Sequence, residues 1–426
     1  MAPSFLSPYA LHMPHWPKPL GPEPQGTPSE RARKLLAKMG YPEKRLPPVV
    51  HVGGTKGKGS TIAFMRTMLE AAGYRVHTYT SPHIERFNER IVLSGREIGD
   101  ETLQEVLEAT RMAAGDMDVG FFDATTAAAT LAFANHPADV LLMEMGLGGT
   151  VDATNIIDSP LLTVLTTISY DHMEYMGNTL DSIARFEAGI LKPDVPCIVS
   201  YQPPEALESL EREATRINAP LHIYGKHWLT RKTPEGMLYA DADAEAKLPL
   251  PSLLGAHQIV NAGNAIAAIS ALQDFNVESS HVVRGLMQAQ WKGRLQKMDY
   301  HDLPSGCELW FDGGHNMAAA GVIAYHAQQY WQEKPFYLIF GTTEGKDVPS
   351  MLAPFTAIAK QIYAVPVKSE PRSYKAETIR DLSAPLAVKA CESIQDALND
   401  IMRNAKEPFR VLVFGSLYLW LETKYL

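Results

Sequence analysis

The sequence predicts an α/β protein with a doubly wound N-terminal domain followed by a smaller α/β domain. Three observations carry this. Short β-rich runs alternate with helical periods along most of the 426 residues, and a glycine- and lysine-rich turn joins the first such run to a helix. The alternation fades near residue 202 and restarts beyond Trp291-Lys292-Gly293-Arg294.

The first thirty residues, rich in Pro and Gly, read as an extended arm. In 29–39 the spacing Ala32, Leu35, Leu36, Met39 predicts a helix stopped by Gly40 and Pro42. Val49-Val50-His51-Val52 is a strand, and Ile62, Met65, Met68, Leu69 and Ala72 mark the inner face of a helix ended by Gly73. Further strands are expected at 76–80, 140–143, 161–168 and 197–201, with helices at 102–112, 125–134 and 180–191 between them. Residues 202–250 are less regular, with Pro203-Pro204 and the acidic run Asp241-Ala242-Asp243-Ala244-Glu245, and read as an appendage or linker with short β segments. An alanine-rich helix at 261–272 and another at 282–289 follow, then strands at 308–311, 336–340, 361–365 and 410–414. The expected division is an N-terminal arm and helix over 1–45, a nucleotide-binding domain over 46–290 and a C-terminal domain over 291–426.

Composition bounds the function. With 46% hydrophobic and 20% charged residues, the chain buries substantial cores. A net charge of −9 gives no overall basic field, so nucleic-acid and membrane-surface partners are not expected. Cys197, Cys307 and Cys391 are widely spaced without a C-x-x-C pair, which points away from disulfides and zinc. Pro3, Pro8, Pro14 and Pro17 interrupt the N-terminal apolar residues, and no Lys or Arg precedes Lys18. No run is long and apolar enough to span a bilayer. A cytoplasmic monomer acting on small molecules is expected.

The run Gly54-Thr55-Lys56-Gly57-Lys58-Gly59-Ser60 sits between a strand and a helix, where backbone N–H groups and the helix dipole hold phosphate oxygens. Lys58 is placed to reach the β/γ-phosphates. Its spacing departs from the common phosphate loop: Val52 stands at the first glycine position, and Gly59 separates the lysine from Ser60. Glu144 ends a buried strand, where an unpaired carboxylate is costly and a cation is the natural partner. Ser81 and His172 also follow strands, whose carboxyl ends face the ligand crevice of an open α/β sheet. That O/N/O set suits Mg²⁺ better than zinc, although histidine is an unusual magnesium ligand.

Several runs carry a resemblance. They are His51-Val52-Gly53-Gly54 through Ser60; Thr80-Ser81-Pro82-His83 with Phe87-Asn88-Glu89-Arg90-Ile91; Glu144-Met145-Gly146-Leu147-Gly148-Gly149 with Asp152-Ala153-Thr154-Asn155; and Ile168-Ser169-Tyr170-Asp171-His172. Gly255-Ala256-His257-Gln258, Asn261-Ala262, Gly293-Arg294, Asp312-Gly313-Gly314-His315-Asn316, Lys346-Asp347 and Phe414-Gly415-Ser416 continue it. In this order they resemble the folylpolyglutamate/dihydrofolate synthase family of the Mur-ligase group over nearly the whole chain. The resemblance implies a P-loop-type ATPase domain, a Rossmann-like C-terminal ligase domain, and the cofactors ATP and Mg²⁺. The metal ligands it implies are Ser81, Glu144 and His172, with Ser60 near the metal of the nucleotide. It implies nucleotide contacts at Thr55, Lys56, Gly57, Lys58, Gly59 and Ser60, then Asn261 for adenine, Arg294 for the phosphates, Asp312 for ribose, and His315. Read alone, Arg294 is a surface ion pair and Asp312 a helix cap with equal ease.

The implied chemistry is carboxylate activation. The γ-phosphoryl group passes to a pteroate or folate carboxylate, and the amine of L-glutamate attacks the acyl phosphate. Catalysis then rests on Lys58, His172, Arg294 and Glu187. For the pterin, the candidates are Leu20 and Gly21 in the arm, Phe122 as a stacking face, and Asp123, Asp152, Ala153 and Thr154, with Asp123 or Asp152 accepting pterin N–H groups. Phe121 and Phe122 fit a core equally well.

Three positions depart from the family pattern. Lys56 stands for an Asn, Thr150 for an Arg, and Glu187 for a lysine that the family carbamylates. Glu187 is expected to replace the carbamate; a solvated helix carboxylate is the competing reading. Together the departures keep two other readings open, a related ligase acting on a different carboxylate and a nucleotide-binding regulator without ligase activity.

Overall fold

The computed structural model describes Trp16 and residues 25–426. The chain divides into two compact units, one holding the described residues up to 252 with 258–290, the other 253–257 with 291–426.

The N-terminal unit runs α1 (Pro28–Lys38), β1 (Val49–Gly53), α2 (Lys58–Ala71), β2 (Val76–Tyr79), β3 (Ile91–Leu93), β4 (Arg96–Glu97), α3 (Asp100–Ala114), α4 (Phe121–Asn135), β5 (Val140–Glu144) and β6 (Leu162–Leu165). It continues through α5 (Met173–Met176), α6 (Leu180–Glu187), β7 (Cys197–Val199), α7 (Pro204–Ile217), β8 (Leu221–Ile223), β9 (Trp228–Thr233), β10 (Gly236–Asp241), β11 (Glu245–Leu248), α8 (Ala256–Ala271) and α9 (Ser279–Gln288). Its main sheet has the order β4-β3-β2-β5-β1-β6-β7-β8. The strands from β2 to β8 pair in parallel, and β3 and β4 add antiparallel at one edge. β1 is buried along its whole length, as a central parallel strand covered on both faces must be. One core gathers Leu35, Leu36, Tyr79, Leu103, Val106, Phe133, Leu141 and Met143. Another, at the β6–β7 end, gathers Leu165, Ile183, Cys197, Val199, Leu210 and Ala214.

Residues 202–250 are more regular than the sequence suggested. Helix α7 occupies 204–217 with Ala206, Ser209, Leu210 and Ala214 buried, and β9, β10 and β11 form a three-stranded antiparallel sheet. The Pro pair read as loop punctuation is a helix start, since Pro204 occupies the first turn, where a missing N–H costs nothing. β6 is also shorter than expected. After Leu165 the chain turns to the loop that follows β1: Thr166 Oγ1 donates to Gly53 O (3.0 Å), and Lys56 N–H donates to Thr167 O (3.0 Å).

The C-terminal unit runs β12 (Gln296–Met298), β13 (Glu308–Asp312), α10 (Met317–Tyr330), β14 (Phe336–Phe340), α11 (Val348–Leu352), β15 (Gln361–Ala364), α12 (Ala376–Leu382), β16 (Val388–Ala390), α13 (Ile394–Asn404), β17 (Arg410–Phe414) and α14 (Leu419–Lys424). Its sheet has the order β12-β13-β17-β14-β15-β16, parallel except for β12. Phe340, Phe355, Leu338, Leu412 and Phe414 lie in its core. Among the described residues, no helix is long and apolar enough to cross a membrane.

Candidate phosphate-loop active site

Four adjacent strands, β2, β5, β1 and β6, point their C-terminal ends the same way. From those ends leave Ser81, Glu144, the loop 54–57, and the segment leading to His172. In register, Glu144 lies beside Val52, two residues before the loop begins.

The loop is shaped by two glycines and by α2. Gly54 has φ +108°, and a Cβ there would lie 2.4 Å from Thr166 Oγ1 and 2.6 Å from Thr166 O. Gly57 caps α2 at φ +93°, and a Cβ there would lie 2.2 Å from Asn261 Oδ1. Both positions therefore need glycine. Because α2 starts at Lys58, the N–H groups of Lys58, Gly59 and Ser60 have no acceptor within the helix and form an anion site. Thr55 is tied to the next segment, its hydroxyl donating to Ser169 O (3.3 Å) and accepting from Ser169 N–H (3.1 Å).

Lys58 Nζ donates to Gly54 O (2.7 Å). On the other side of the same residue, Gly54 N–H donates to Glu187 Oε2 (2.9 Å). Glu187 is 2% exposed, which overturns the reading of it as a solvated helix carboxylate. Burial raises its pKa, Lys58 and the Gly54 N–H favour its charged form, and Asp152 opposes it. The Lys56 amine is buried without a hydrogen-bond partner among the described residues. Burial pulls it down to about 8, with Asp171 opposing.

Of the expected metal ligands, the structure brings two together. Glu144 is buried, and its Oε2 accepts Ser81 N–H (3.1 Å). Ser60 Oγ lies on the loop helix and accepts from Gln258 Nε2 (3.2 Å). His172 is half-exposed at a left-handed φ of +46°, with Asp171 and Glu174 each 4.0 Å from its ring nitrogens. Among the described residues, no three His, Cys, Asp or Glu side chains are grouped to hold a metal. A cation here would take few protein ligands and leave positions for water and phosphate oxygens, which suits Mg²⁺ and the hydroxyl and carboxylate donors of Ser60, Ser81 and Glu144.

The carboxylates read as pterin acceptors are engaged elsewhere. Asp123 Oδ2 accepts from Arg31 Nε (2.6 Å) and from Gly120 N–H (2.9 Å), so it is an ion-pair partner and a helix-start cap. Asp152 accepts from Leu147 N–H (2.7 Å), Thr154 N–H (2.9 Å) and Thr154 Oγ1 (2.5 Å), and burial raises its pKa. It shapes its own loop. Thr154 and Ala153 are fully buried, Thr154 Oγ1 also meeting His51 Nε2 at 2.8 Å. His51 is held neutral by burial, down to about 3. Phe122 is half-buried, 6.2 Å from Tyr79 and against Gly146, and it joins the rim of the core, in keeping with the core reading. Leu20 and Gly21 lie outside the described residues.

In the C-terminal unit, Asp312 is buried at the end of β13, its oxygens accepting Leu295 N–H (2.8 Å) and Gly314 N–H (2.8 Å). Burial raises its pKa, and Arg294 opposes. It does not cap α10, a task done by Asn316, whose side chain accepts Ala319 N–H (3.0 Å). His315 Nδ1 lies 3.2 Å from Gly313 O. In the N-terminal unit, Asn261 Nδ2 donates to Gln258 Oε1 (2.9 Å). Gln258, which links Asn261 to Ser60, was not singled out as a site residue. Its i, i+3 spacing to Asn261 on one helix was the available signal.

Residues 52–269 match the Mur ligase middle domain, and 293–417 match the Mur ligase glutamate ligase domain. The chain is 34% identical to the dihydrofolate synthase/folylpolyglutamate synthase of Bacillus subtilis (strain 168), over 91% of this chain and 92% of that one. It is similar to the structure of E. coli FolC in complex with DHPP and ADP, with a TM-score of 0.85, 30% identity, and 94% and 92% of the two chains covered. It is also similar to the Yersinia pestis bifunctional folylpolyglutamate synthase/dihydrofolate synthase complexed with AMPPNP and Mn ion, with a TM-score of 0.84, 26% identity, and 94% and 93% covered.

Proposed function

The chain belongs to the folylpolyglutamate/dihydrofolate synthase family of Mur ligases and is an ATP-dependent acid–amino acid ligase, and we propose that it joins L-glutamate to a pteroate or folate carboxylate through an acyl phosphate. One observation supports the site: the phosphate loop, Ser81, Glu144 and the His172 segment leave the ends of four neighbouring strands.

The first-turn N–H groups of α2 hold the phosphate oxygens, and Lys58 exchanges Gly54 O for the β/γ-phosphates. Its charge matters most where negative charge develops as the phosphoryl group transfers. Thr55, Lys56, Gly57, Gly59 and Ser60 complete the cradle. Asn261, held by Gln258, is the candidate for the adenine side, Arg294 for the phosphates and Asp312 for the ribose, with His315 a further nucleotide candidate. Ser81, Glu144 and His172, with Ser60, are the ligands assigned to a divalent cation. When bound, that cation supplies Lewis-acid neutralisation of phosphate charge. Phe122 offers the pterin a stacking face.

ADP release and product mass, measured with pteroate or folate in the presence and absence of L-glutamate, test the reading. Amide formation that requires both glutamate and the pterin acid is expected. Nucleotide binding without amine-dependent turnover would leave a regulator, and turnover only on other carboxylates would leave a different ligase.

A further inference from the structure

Among the buried acids of the N-terminal unit, Asp123 and Asp152 are committed to partners that explain them as local supports. Glu187 differs. It ends α6 and reaches across the sequence to the first peptide of the phosphate loop, yet it is 2% exposed.

Both sides of that contact are fixed. The last turn of α6 is held by Thr150, whose N–H (3.1 Å) and hydroxyl (3.3 Å) both donate to Phe186 O. Asn155 Nδ2 donates to Gly149 O (2.8 Å) and Gly189 O (3.0 Å). The packing there is tight enough that a Cβ on Gly149 would lie 2.8 Å from Glu187 O, and one on Gly189 would lie 2.1 Å from Thr150 N. Gly54 is pressed against Thr166 on its other side. The backbone that carries Glu187 and the Gly54 peptide are therefore each held where they meet.

Gly54 thus has its N–H on the Glu187 carboxyl group and its C=O on Lys58 Nζ. We propose that Glu187 is a positioning residue that anchors the phosphate loop through Gly54 N–H and acts as the resident counter-anion of Lys58, the anion that nucleotide phosphate must outcompete. This rests on the reading of the loop as a nucleotide site. Its consequence is that Glu187 supports the shape of the loop while opposing the charge of what binds there. Burial raises the Glu187 pKa, and Lys58 and the Gly54 N–H work against that rise.

Glu187→Gln separates the two effects. Its amide oxygen accepts the same N–H in the same volume, but the negative charge is gone. ADP affinity, measured by calorimetry in EDTA so that no divalent cation takes part, should tighten by about tenfold, the loss of one unit charge repelling a phosphate at partly buried range. Glu187→Ala removes the anchor as well and should bind ADP less tightly than Glu187→Gln. In steady state the Gln variant should show a lower KM for ATP together with a lower kcat, because ADP leaves more slowly. Unchanged or weaker cation-free ADP binding in Glu187→Gln overturns the proposal. So does a Gln variant that fails to fold, since an amide oxygen meets the same structural need. If the native chain itself binds no ADP, the nucleotide reading fails instead.

Discussion

Replacing Asp123 by Ala tests whether this carboxylate serves the substrate or the fold. Its side chain is 2% exposed and that of its partner Arg31 is 10% exposed, with Nε and Oδ2 2.6 Å apart. Arg31 also donates to Gly26 O (2.5 Å). Truncation takes the Asp123 carboxylate away from a buried guanidinium and strips the Gly120 N–H at the start of α4 of its acceptor. Breaking one side of a buried pair costs about 3–5 kcal/mol. That is a large part of a domain stability of roughly 5–15 kcal/mol. With an m-value of about 2–3 kcal/mol/M, the urea midpoint of the N-terminal unit should fall by about 1–2 M. Adding Arg31→Met, which removes the charge that Asp123 balances, should restore a good part of the loss. A loss below about 1 kcal/mol, combined with a raised KM for the pterin acid, would refute the structural role and return Asp123 to substrate recognition.

Four further outcomes are expected. Gly54→Ala forces a side chain into φ +108° and against Thr166, so ADP affinity should fall by more than about tenfold while the C-terminal unit is unaffected; native affinity would remove the need for this loop geometry. Glu144→Ala should abolish the dependence of ATP binding on divalent cation, and an unchanged cation titration rejects its role as a ligand. Thorough removal of bicarbonate should leave native turnover unchanged, because Glu187 already carries a carboxylate; a CO₂-dependent loss contradicts this. Glu308 is pulled down to about 2: burial raises it, but hydrogen bonds from Arg410, Trp310 and Lys334 prevail. Its stabilising share is present above its ordinary value of 4.5 and is lost as the pH falls through about 2. Glu308→Gln should flatten the stability of the C-terminal unit across that window, and an unaltered acid transition counts against the network.

Periodic features were readable because they repeat locally. The inner face of α2, with Ile62, Met65, Met68 and Leu69, is buried as its spacing predicts, and β1, buried throughout although it carries His51, lies at the sheet centre. Helix α7 escaped notice because Pro203-Pro204 looked like punctuation, although Ala206, Leu210 and Ala214 keep a helical period behind it. The acids were harder to place for another reason. Nothing near Asp123 in sequence announces Arg31, and nothing around Glu187 announces Gly54. A carboxylate has the same chemistry whether it awaits a ligand or already has a partner, and only three-dimensional neighbours decide between them.

That distinction bears on the departures from the family pattern. Thr150 and Glu187 look independent in the sequence, but the Thr150 hydroxyl and N–H both close on Phe186 O, the carbonyl just before Glu187. The small side chain at 150 adds a second donor to the helix end that aims the carboxylate. Lys56 belongs to the same neighbourhood by another route, its N–H on Thr167 O and its amine buried, with Asp171 favouring its charge. Two of the exchanges alter charge, a cation being absent at 150 and a cation standing at 56, while the carboxylate at 187 carries the single negative charge of a carbamate. Exchanges that adjust both the charge around one loop and the contacts that hold it are those expected of a loop still required to grip phosphate. A chain released from that task would have no reason to keep Gly54 clamped between Lys58 and Glu187.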